Sequence, residues 1–408
     1  MLPKLCAKIC PDVAAEMPES LAFATAPNVG YGYTCDYNSA TEPNVGVISL
    51  QEFQTLPIDP ATGNGKWRSW SHNSFLPIGT IIDTNGKSIG KRNLEIRSNA
   101  HADVVLFSGT KAVGVRYIDL ITGNPVTVYA KQIILSAGAI ETPLILQRSG
   151  VGDPTLLGSL GIPVVLNNPN VGNNMEGHAG PTVVFGTPLG VLPIAGSITD
   201  LHDDLLPPSD PFYYPADGVR RVDSVILHSD ILGFPGATFI ITQDISQTKY
   251  GGTVAITSSN PLAPPDVNIN LFSDDTTGLV NGSSLNKLVK ALYNLQTIAT
   301  AAGTIILPIP GLSPGPSDFA TATDLANYIK AFSGLASHQT GTCRFGTSTA
   351  NGVVDSKQNV IGLKNLKIAD LSIYPYTMDG NPMTSALIAG MKCVQSLGIT
   401  LNPANALL

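Results

Sequence analysis

The chain has 408 residues, 43% of them apolar and only 13% charged, so most of it is expected to fold around a sizeable core and little of it to be disordered. With 23 Lys and Arg against 30 Asp and Glu the formal charge is −7, and no basic stripe is visible, which argues against nucleic acid and anionic membranes as partners. Five cysteines at scattered positions (Cys6, Cys10, Cys35, Cys343, Cys393) give neither a zinc spacing nor a disulfide framework, and no apolar run is long enough for a secretion signal or a membrane span.

Residues 1–20 carry little pattern. From Ala22 to Pro77 the chain is rich in turn formers and includes the aromatic cluster Trp67-Arg68-Ser69-Trp70. This reads as irregular chain over a core, with Trp67 and Trp70 either packed there or lining an entrance. Short apolar or alternating runs at Asn93–Ile96, Asp103–Phe107 and Ala112–Ile118 predict strands, the last two joined as a hairpin through Ser108-Gly109-Thr110-Lys111. Ile133-Ile134-Leu135 reads as a buried strand that stops at Ser136-Ala137-Gly138, where Gly138 permits close approach of a ligand or another backbone. Thr142-Pro143 then opens a helix that Gly150 ends.

Between Pro181 and Leu335, strand-like runs (Arg221–Leu227, Ala237–Ile241, Gly252–Thr257) alternate with Pro-rich turns, and a helix is expected over Ser284–Ala302. There is no repeat, low-complexity tract or clear linker, so two structural units interleaved along the chain are expected.

The chemistry concentrates near the end, in Ser337-His338-Gln339-Thr340-Gly341-Thr342-Cys343-Arg344-Phe345-Gly346, Gly352-Val353-Val354-Asp355, Asn365-Leu366-Lys367-Ile368-Ala369-Asp370 and Asp379-Gly380-Asn381-Pro382. A neutral imidazole can take a proton from a hydroxyl, and a carboxamide beside it can hold the same oxygen, which makes His338 and Asn381 a candidate pair for proton transfer. Asn381 and Pro382 read as the N-cap and first position of a helix over Met383–Leu397, whose positive end favours an electron-rich group. The alternative is that Asn381 only caps its own helix and His338 is a satisfied core histidine.

The order His-x-x-Gly-Thr, Gly-Val-Val-Asp, Asn-Leu-x-x-x-Asp and Gly-Asn-Pro before a terminal helix resembles the carboxy-terminal part of the glucose-methanol-choline (GMC) family of flavin-dependent alcohol oxidoreductases. Gly138-Ala139-Ile140-Glu141-Thr142-Pro143-Leu144-Ile145-Leu146-Gln147-Arg148-Ser149-Gly150-Val151-Gly152 is similar to the second signature of that family. Leu160-Gly161-Ile162-Pro163-Val164-Val165, leading to Val171-Gly172-Asn173-Asn174-Met175-Glu176-Gly177-His178, is a third match.

The resemblance runs from about Ala22 to the end and implies a mixed α/β fold, an FAD-binding Rossmann-like domain interleaved with an antiparallel-sheet substrate domain. On that reading residues 1–90 form an irregular, substrate-side segment and residues 91–180 part of the FAD domain. Residues 181–335 form the substrate domain, and residues 336–408 the rest of the FAD domain with the catalytic groups. The resemblance implies FAD as cofactor, a small-molecule alcohol as substrate, His338 and Asn381 as catalytic residues, and cofactor contacts at Ala102, Gly138, Asp370, Leu371, Asn381, Pro382 and Met383. For Asp370 a second role, a turn residue at a strand end, stays open. The run from Gly252 resembles the antiparallel sheet that roofs the family's active site.

The glycine-rich dinucleotide turn of the family does not occur in this sequence: Gly30-Tyr31-Gly32 lacks its third glycine and Gly150-Val151-Gly152 belongs to the other signature. The chain is therefore expected to be a truncated relative whose FAD domain is incomplete. A rival expectation is a non-catalytic protein that cannot hold FAD alone, or one completed by a separate amino-terminal FAD-binding segment. Gly177 stands where the family usually has Asp, and Phe345 where Met is common. His178 matches a family histidine but reads as structural in its Gly/Asn-rich loop, and His72, His101, His202 and His228 have no ligand spacing. A third possibility, a hydrolase, has little support, since no Gly-x-Ser-x-Gly elbow is present.

Overall fold

The computed structural model describes residues 76, 81–85, 87–90, 94–186, 250–276, 278–280, 283–301, 305–378 and 382–399, together with seven strand segments outside these ranges. Trp67, Trp70, His72 and Asn381 lie outside the described residues, as do the side chains of His202 and His228.

The hairpin forms as its pattern predicts. Strands β1 (Ala100–Ser108) and β2 (Lys111–Asp119) turn at Gly109, whose φ of +59° suits the tight reversal, and β3 (Pro125–Tyr129) adds an antiparallel edge. The expected strand at Asn93–Ile96 does not form. Residue 93 lies outside the described set, and Glu95 makes only an isolated bridge to Lys87.

β4 (Ile133–Leu135) runs directly into helix α1 (Gly138–Arg148). The strand differs from expectation in one respect: Ile133 and Leu135 are buried at 5% and 6%, but Ile134 is 42% exposed. Among the described residues β4 has one strand beside it, Leu366–Ile368, paired in parallel, and alternate β4 residues face opposite ways; Lys367, in register with Ile134, is itself buried at 4%, so the exposure is confined to the β4 side. The helix also starts earlier than Thr142, and Pro143 sits inside it. Proline has no N–H to give the carbonyl four residues back, which leaves the Ala139 oxygen without its helical donor. The Thr342 hydroxyl supplies one at 2.6 Å. Gly150, at φ +82°, follows the last turn and ends the helix.

A second layer is a nine-stranded, mostly antiparallel sheet. Its central run places Thr182–Gly186, Ala237–Asp244, Val222–His228 and Ile198–His202 side by side, close to the expected strands. Gly252–Ala255, expected to belong with them, instead pairs with Asn173–Met175 and Asp266–Asn268 in a separate three-stranded sheet.

Helices α2 (Ser284–Ala301) and α3 (Ala322–Phe332) bury an apolar stripe against the larger sheet. In α2 the buried positions Leu285, Leu288, Val289, Leu292 and Leu295 repeat at three- and four-residue steps, and Leu325 and Ile329 of α3 are fully buried beside them. Thr321 caps α3 by accepting from the Asp324 N–H at 3.1 Å.

The third layer gathers around β5 (Leu366–Ile368), the partner of β4, and helix α4 (Met383–Ser396). α4 begins one residue later than expected. Pro382 is the position before it, with φ −82°, and its carbonyl already accepts from Ala386. Chain from 100–180 and from 340–396 thus shares one core, as interleaving predicts.

Candidate active site

The loop that carries His338 is built by backbone pairing with a segment far away in sequence. Gly334–Leu335 pairs antiparallel with Ala179–Gly180, the Ala336 N–H donates to the His178 carbonyl at 2.9 Å, and Glu176 and Thr340 exchange two backbone hydrogen bonds at 3.0 and 3.1 Å. The two segments therefore run alongside each other like short strands. This brings the side chains of His178 and His338 together edge-on: their Nδ1 atoms are 2.8 Å apart, with ring centroids 4.9 Å apart and planes at 88°.

Other residues hold that ladder in place. The Glu176 carboxylate accepts from the N–H groups of Tyr250 and Gly251 at 2.8 and 3.0 Å. Gly341 adopts φ +90°, and a Cβ there would run into the Asn174 carbonyl oxygen, which is why the loop has glycine three positions after its histidine. A Cβ at Gly177 would stand 3.1 Å from Leu335 Cδ2, so an Asp at that position requires Leu335 to give way.

His178 is only 1% exposed, while His338 is partly buried. Burial depresses the His338 pKa below the ordinary imidazole value by penalising the charged form. The ring is thus neutral at neutral pH and competent to take a proton.

A second knot of polar groups lies behind the loop, centred on Asp370 at the end of β5. One carboxylate oxygen accepts from the Gly138 N–H at 3.0 Å and the Thr142 hydroxyl at 2.6 Å; the other accepts from the Ser372 N–H at 2.8 Å. Asp370 therefore closes the N-terminus of α1 and starts the single helical turn Leu371–Ile373. From that turn the contacts spread outward. The Ser372 and Ile373 carbonyls accept from the Cys343 and Phe345 N–H groups at 2.8 and 2.9 Å, and the Tyr374 hydroxyl donates to Ser385 in the first turn of α4 at 2.8 Å. The His338 loop, the start of α1 and the start of α4 are in this way tied to one short segment, residues 370–374.

The family models decide the identity. One described as GMC oxidoreductase matches residues 87–180, and a second of the same description matches residues 248–390. The chain belongs to the GMC oxidoreductase family. Among its curated relatives are an oxygen-dependent choline dehydrogenase from Chromohalobacter salexigens, 27% identical over 71% of this chain and 54% of the relative. Another is an alcohol dehydrogenase [acceptor] from Pseudomonas putida, 29% identical over 72% of this chain and 56% of the relative. The chain thus spans little more than half the length of these relatives. The same fold is seen in a solved FAD-dependent oxidoreductase from Chaetomium thermophilum, with a TM-score of 0.70, 21% identity and coverage of 94% of this chain and 72% of that one.

FAD is the cofactor of the GMC family. In open α/β sheets ligands lie beyond the carboxyl ends of the parallel strands. In this GMC chain those ends, after Leu135 and Ile368, lead to exposed Ser136 and Ala137, to Gly138 and to Asp370. Gly138 has φ +85° and, beyond its chain neighbours and its own helix backbone, no atom within 4 Å of where a Cβ would stand, so its flank is open to a flat ligand. These features fit a flavin at that edge.

The remaining sequence candidates sit as follows. Leu371 is partly buried in the helical turn after Asp370, Pro382 is buried directly before α4, and Met383 begins that helix. The Ala102 carbonyl is held by the Arg148 guanidinium at 3.3 Å, beside Asp103, which pairs with Arg116 at 2.6 Å. The β1 register shifts between Ala102 and Val104. Asn381 lies outside the described residues.

Sequence reasoning missed three working groups. His178 as the neighbour of His338 had no spacing signal, because 160 residues separate them. Glu176 had none either. Nor did Thr342 carry one: with Pro143 read at the helix start, no carbonyl four residues back was expected to need a donor. His101 is satisfied structurally, with Nε2 3.0 Å from the Pro261 carbonyl. No cluster of ligating side chains fit for a metal occurs among the described residues.

Proposed function

We propose that this chain is the catalytic part of an FAD-dependent oxidoreductase that converts an alcohol to a carbonyl compound, with His338 as the base. FAD, when bound, supplies the acceptor for the hydride leaving the carbinol carbon. His338 takes the hydroxyl proton. Its Nδ1 faces His178 at 2.8 Å, so Nε2 is the nitrogen left for the substrate. Asn381, named from the motif alone, holds the substrate oxygen.

The observation that carries this reading is the neutral, partly buried imidazole of His338 beside His178. A general base needs a pKa no higher than working pH and a fixed orientation, and such groups contribute on the order of 10²–10⁴-fold in rate. The relatives named as choline and alcohol dehydrogenases agree with an alcohol donor. Gly138 and the backbone around Asp370 and Leu371 would lie against the flavin, with the Ala102 backbone reserved for the adenine end.

Exposed Ile134, an apolar side chain on a strand with one described neighbour, favours a second reading in which a separate amino-terminal segment completes the cofactor half. The visible spectrum of the purified chain separates the two. Flavin bands near unit stoichiometry, with or without added FAD, are expected for the first; a chain that stays colourless with excess FAD removes it. In the flavin-loaded chain His338→Ala is expected to keep the bands and lose reduction by alcohols by on the order of 10²-fold or more. Undiminished reduction would show that another group is the base.

The pH profile follows from the same shift. The base works only when unprotonated, so the acid limb of kcat/KM is expected below the ordinary imidazole range. Stability moves in the same sense: above that range His338 is neutral folded or unfolded. As pH falls through it the unfolded chain takes up the proton first, and stability declines until the folded imidazole also titrates. A limb at or above the ordinary imidazole pKa would contradict the assignment.

A further inference from the structure

We infer that His178 is a positioning residue: it accepts a hydrogen bond from His338 Nδ1–H and thereby holds His338 in the tautomer whose Nε2 is bare and basic. The inference rests on the reading of His338 as base and deepens it. Two imidazole nitrogens 2.8 Å apart hold one proton between them, and only two arrangements are available.

If His178 donates, the neutral His338 must carry its own proton on Nε2, and the nitrogen facing the substrate is a donor unable to accept anything. If His338 donates, Nε2 is a free lone pair. The second arrangement also survives the reaction. When Nε2 takes the substrate proton, the imidazolium still donates through Nδ1 to a neutral His178, and that bond becomes charge-assisted and stronger. In the first arrangement proton uptake has no vacant site on His338 except the contact with His178 itself.

The geometry also says which ring guides which. His178 is 1% exposed and its backbone is part of the paired ladder, its carbonyl accepting from Ala336 and the next residue, Ala179, registering with Leu335. His338 sits between the paired positions Leu335 and Thr340, where the backbone turns locally and its N–H is donated to the Ala336 carbonyl at 2.7 Å. The fixed ring is His178. The ring whose proton placement must be set is His338.

The test is nitrogen NMR of the full chain labelled with ¹⁵N-histidine, which needs no flavin. A scalar coupling between the two Nδ1 atoms is expected, with the proton covalently on His338 Nδ1 and the shift of a bare nitrogen at His338 Nε2. A proton found on His178 Nδ1, or no coupling between the rings, overturns the inference. His178→Asn keeps an acceptor and is expected to retain the Nδ1–H form of His338, whereas His178→Phe keeps a ring without an acceptor and is expected to release the Nε2–H form. The same tautomer ratio in all three chains overturns the inference as well.

In the flavin-loaded chain His178→Phe is expected to slow reduction by on the order of 10–100-fold, as when other imidazoles lose their orienting partner, with His178→Asn restoring most of it. Wild-type rates in His178→Phe would count against the role. A failed NMR result leaves His338 as base with a different orienter. A chain that never binds flavin removes the proposed reaction and leaves the tautomer measurement standing.

Discussion

The α2/α3 pair and the polar knot around Asp370 are both buried, and they are held together in opposite ways. The helix pair is held mainly by overlapping apolar contacts: Leu285, Leu288, Leu292, Leu325 and Ile329 are all fully buried in one cluster. Around Asp370 the buried polar groups include Thr142, Thr342 and Ser372, and single hydrogen bonds tie segments 138–142, 342–345 and 370–374. Apolar burial is non-directional and tolerates repacking, whereas a hydrogen-bonded knot fixes positions closely and fails at one atom. The loop bearing His338 leans on the second kind of region, where position matters for chemistry.

The sharpest way to break the comparison is to damage each region once and read both stability and function. Leu292→Ala removes a fully buried side chain from the helix core and is expected to cost about 2–5 kcal/mol in unfolding free energy. Flavin binding and the His178–His338 coupling should be unchanged in the folded fraction. A Leu292→Ala chain that keeps its stability but loses flavin would mean the two regions are not separable.

Asp370→Asn should reverse that pattern. The carboxylate has donors on both oxygens, and a carboxamide oxygen can keep Gly138 and Thr142 only by turning its NH₂ toward the Ser372 N–H. One charge-assisted bond is lost and a donor faces a donor, for a cost of about 1.5–3 kcal/mol. The α1 N-terminus also loses its negative partner. Chemical denaturation read beside FAD titration checks this: the loss of FAD affinity is expected to exceed what the stability loss alone produces. Equal affinity in Asp370→Asn and wild type would show that the knot does not set the cofactor edge.

The contrast also explains how far the sequence could be read. The α2 stripe, the β1–β2 hairpin and the strands around Val222 and Ala237 are local patterns, with periods of 3.6 or 2 and a turn at Gly109, so their positions were legible within a few residues. The family motifs named His338, Gly138 and Asp370, because motif order survives where periodicity is silent. What stayed hidden is non-local: the start of α1 depends on Asp370, the fate of its Pro143 depends on Thr342, and the partner of His338 arrives through pairing of 176–180 with 334–340. Ile134 looked buried for the same reason, since its neighbours' identity says nothing about how many strands stand beside it.

The smallest expected effect separates the cofactor edge from ordinary strain. Gly138 sits at φ +85°, where a side chain clashes with its own backbone by roughly 1–2 kcal/mol, but beyond its chain neighbours and its own helix backbone no atom lies within 4 Å of a Cβ built there. Gly138→Ala is therefore expected to lower stability by about that amount and no more, since nothing must move to make room. A flavin lying against this flank would meet the new methyl directly, so FAD affinity should fall more than the stability does. The control is Gly109→Ala in the hairpin turn, at φ +59° and equally open, which carries the same kind of strain beside the amino-terminal rather than the carboxyl end of β5, where Thr110 accepts from Lys364. If both variants lose stability alike and Gly138→Ala alone loses flavin, the open flank is cofactor space. If FAD binds both variants equally well, the flavin lies elsewhere and Gly138 serves only the turn into α1.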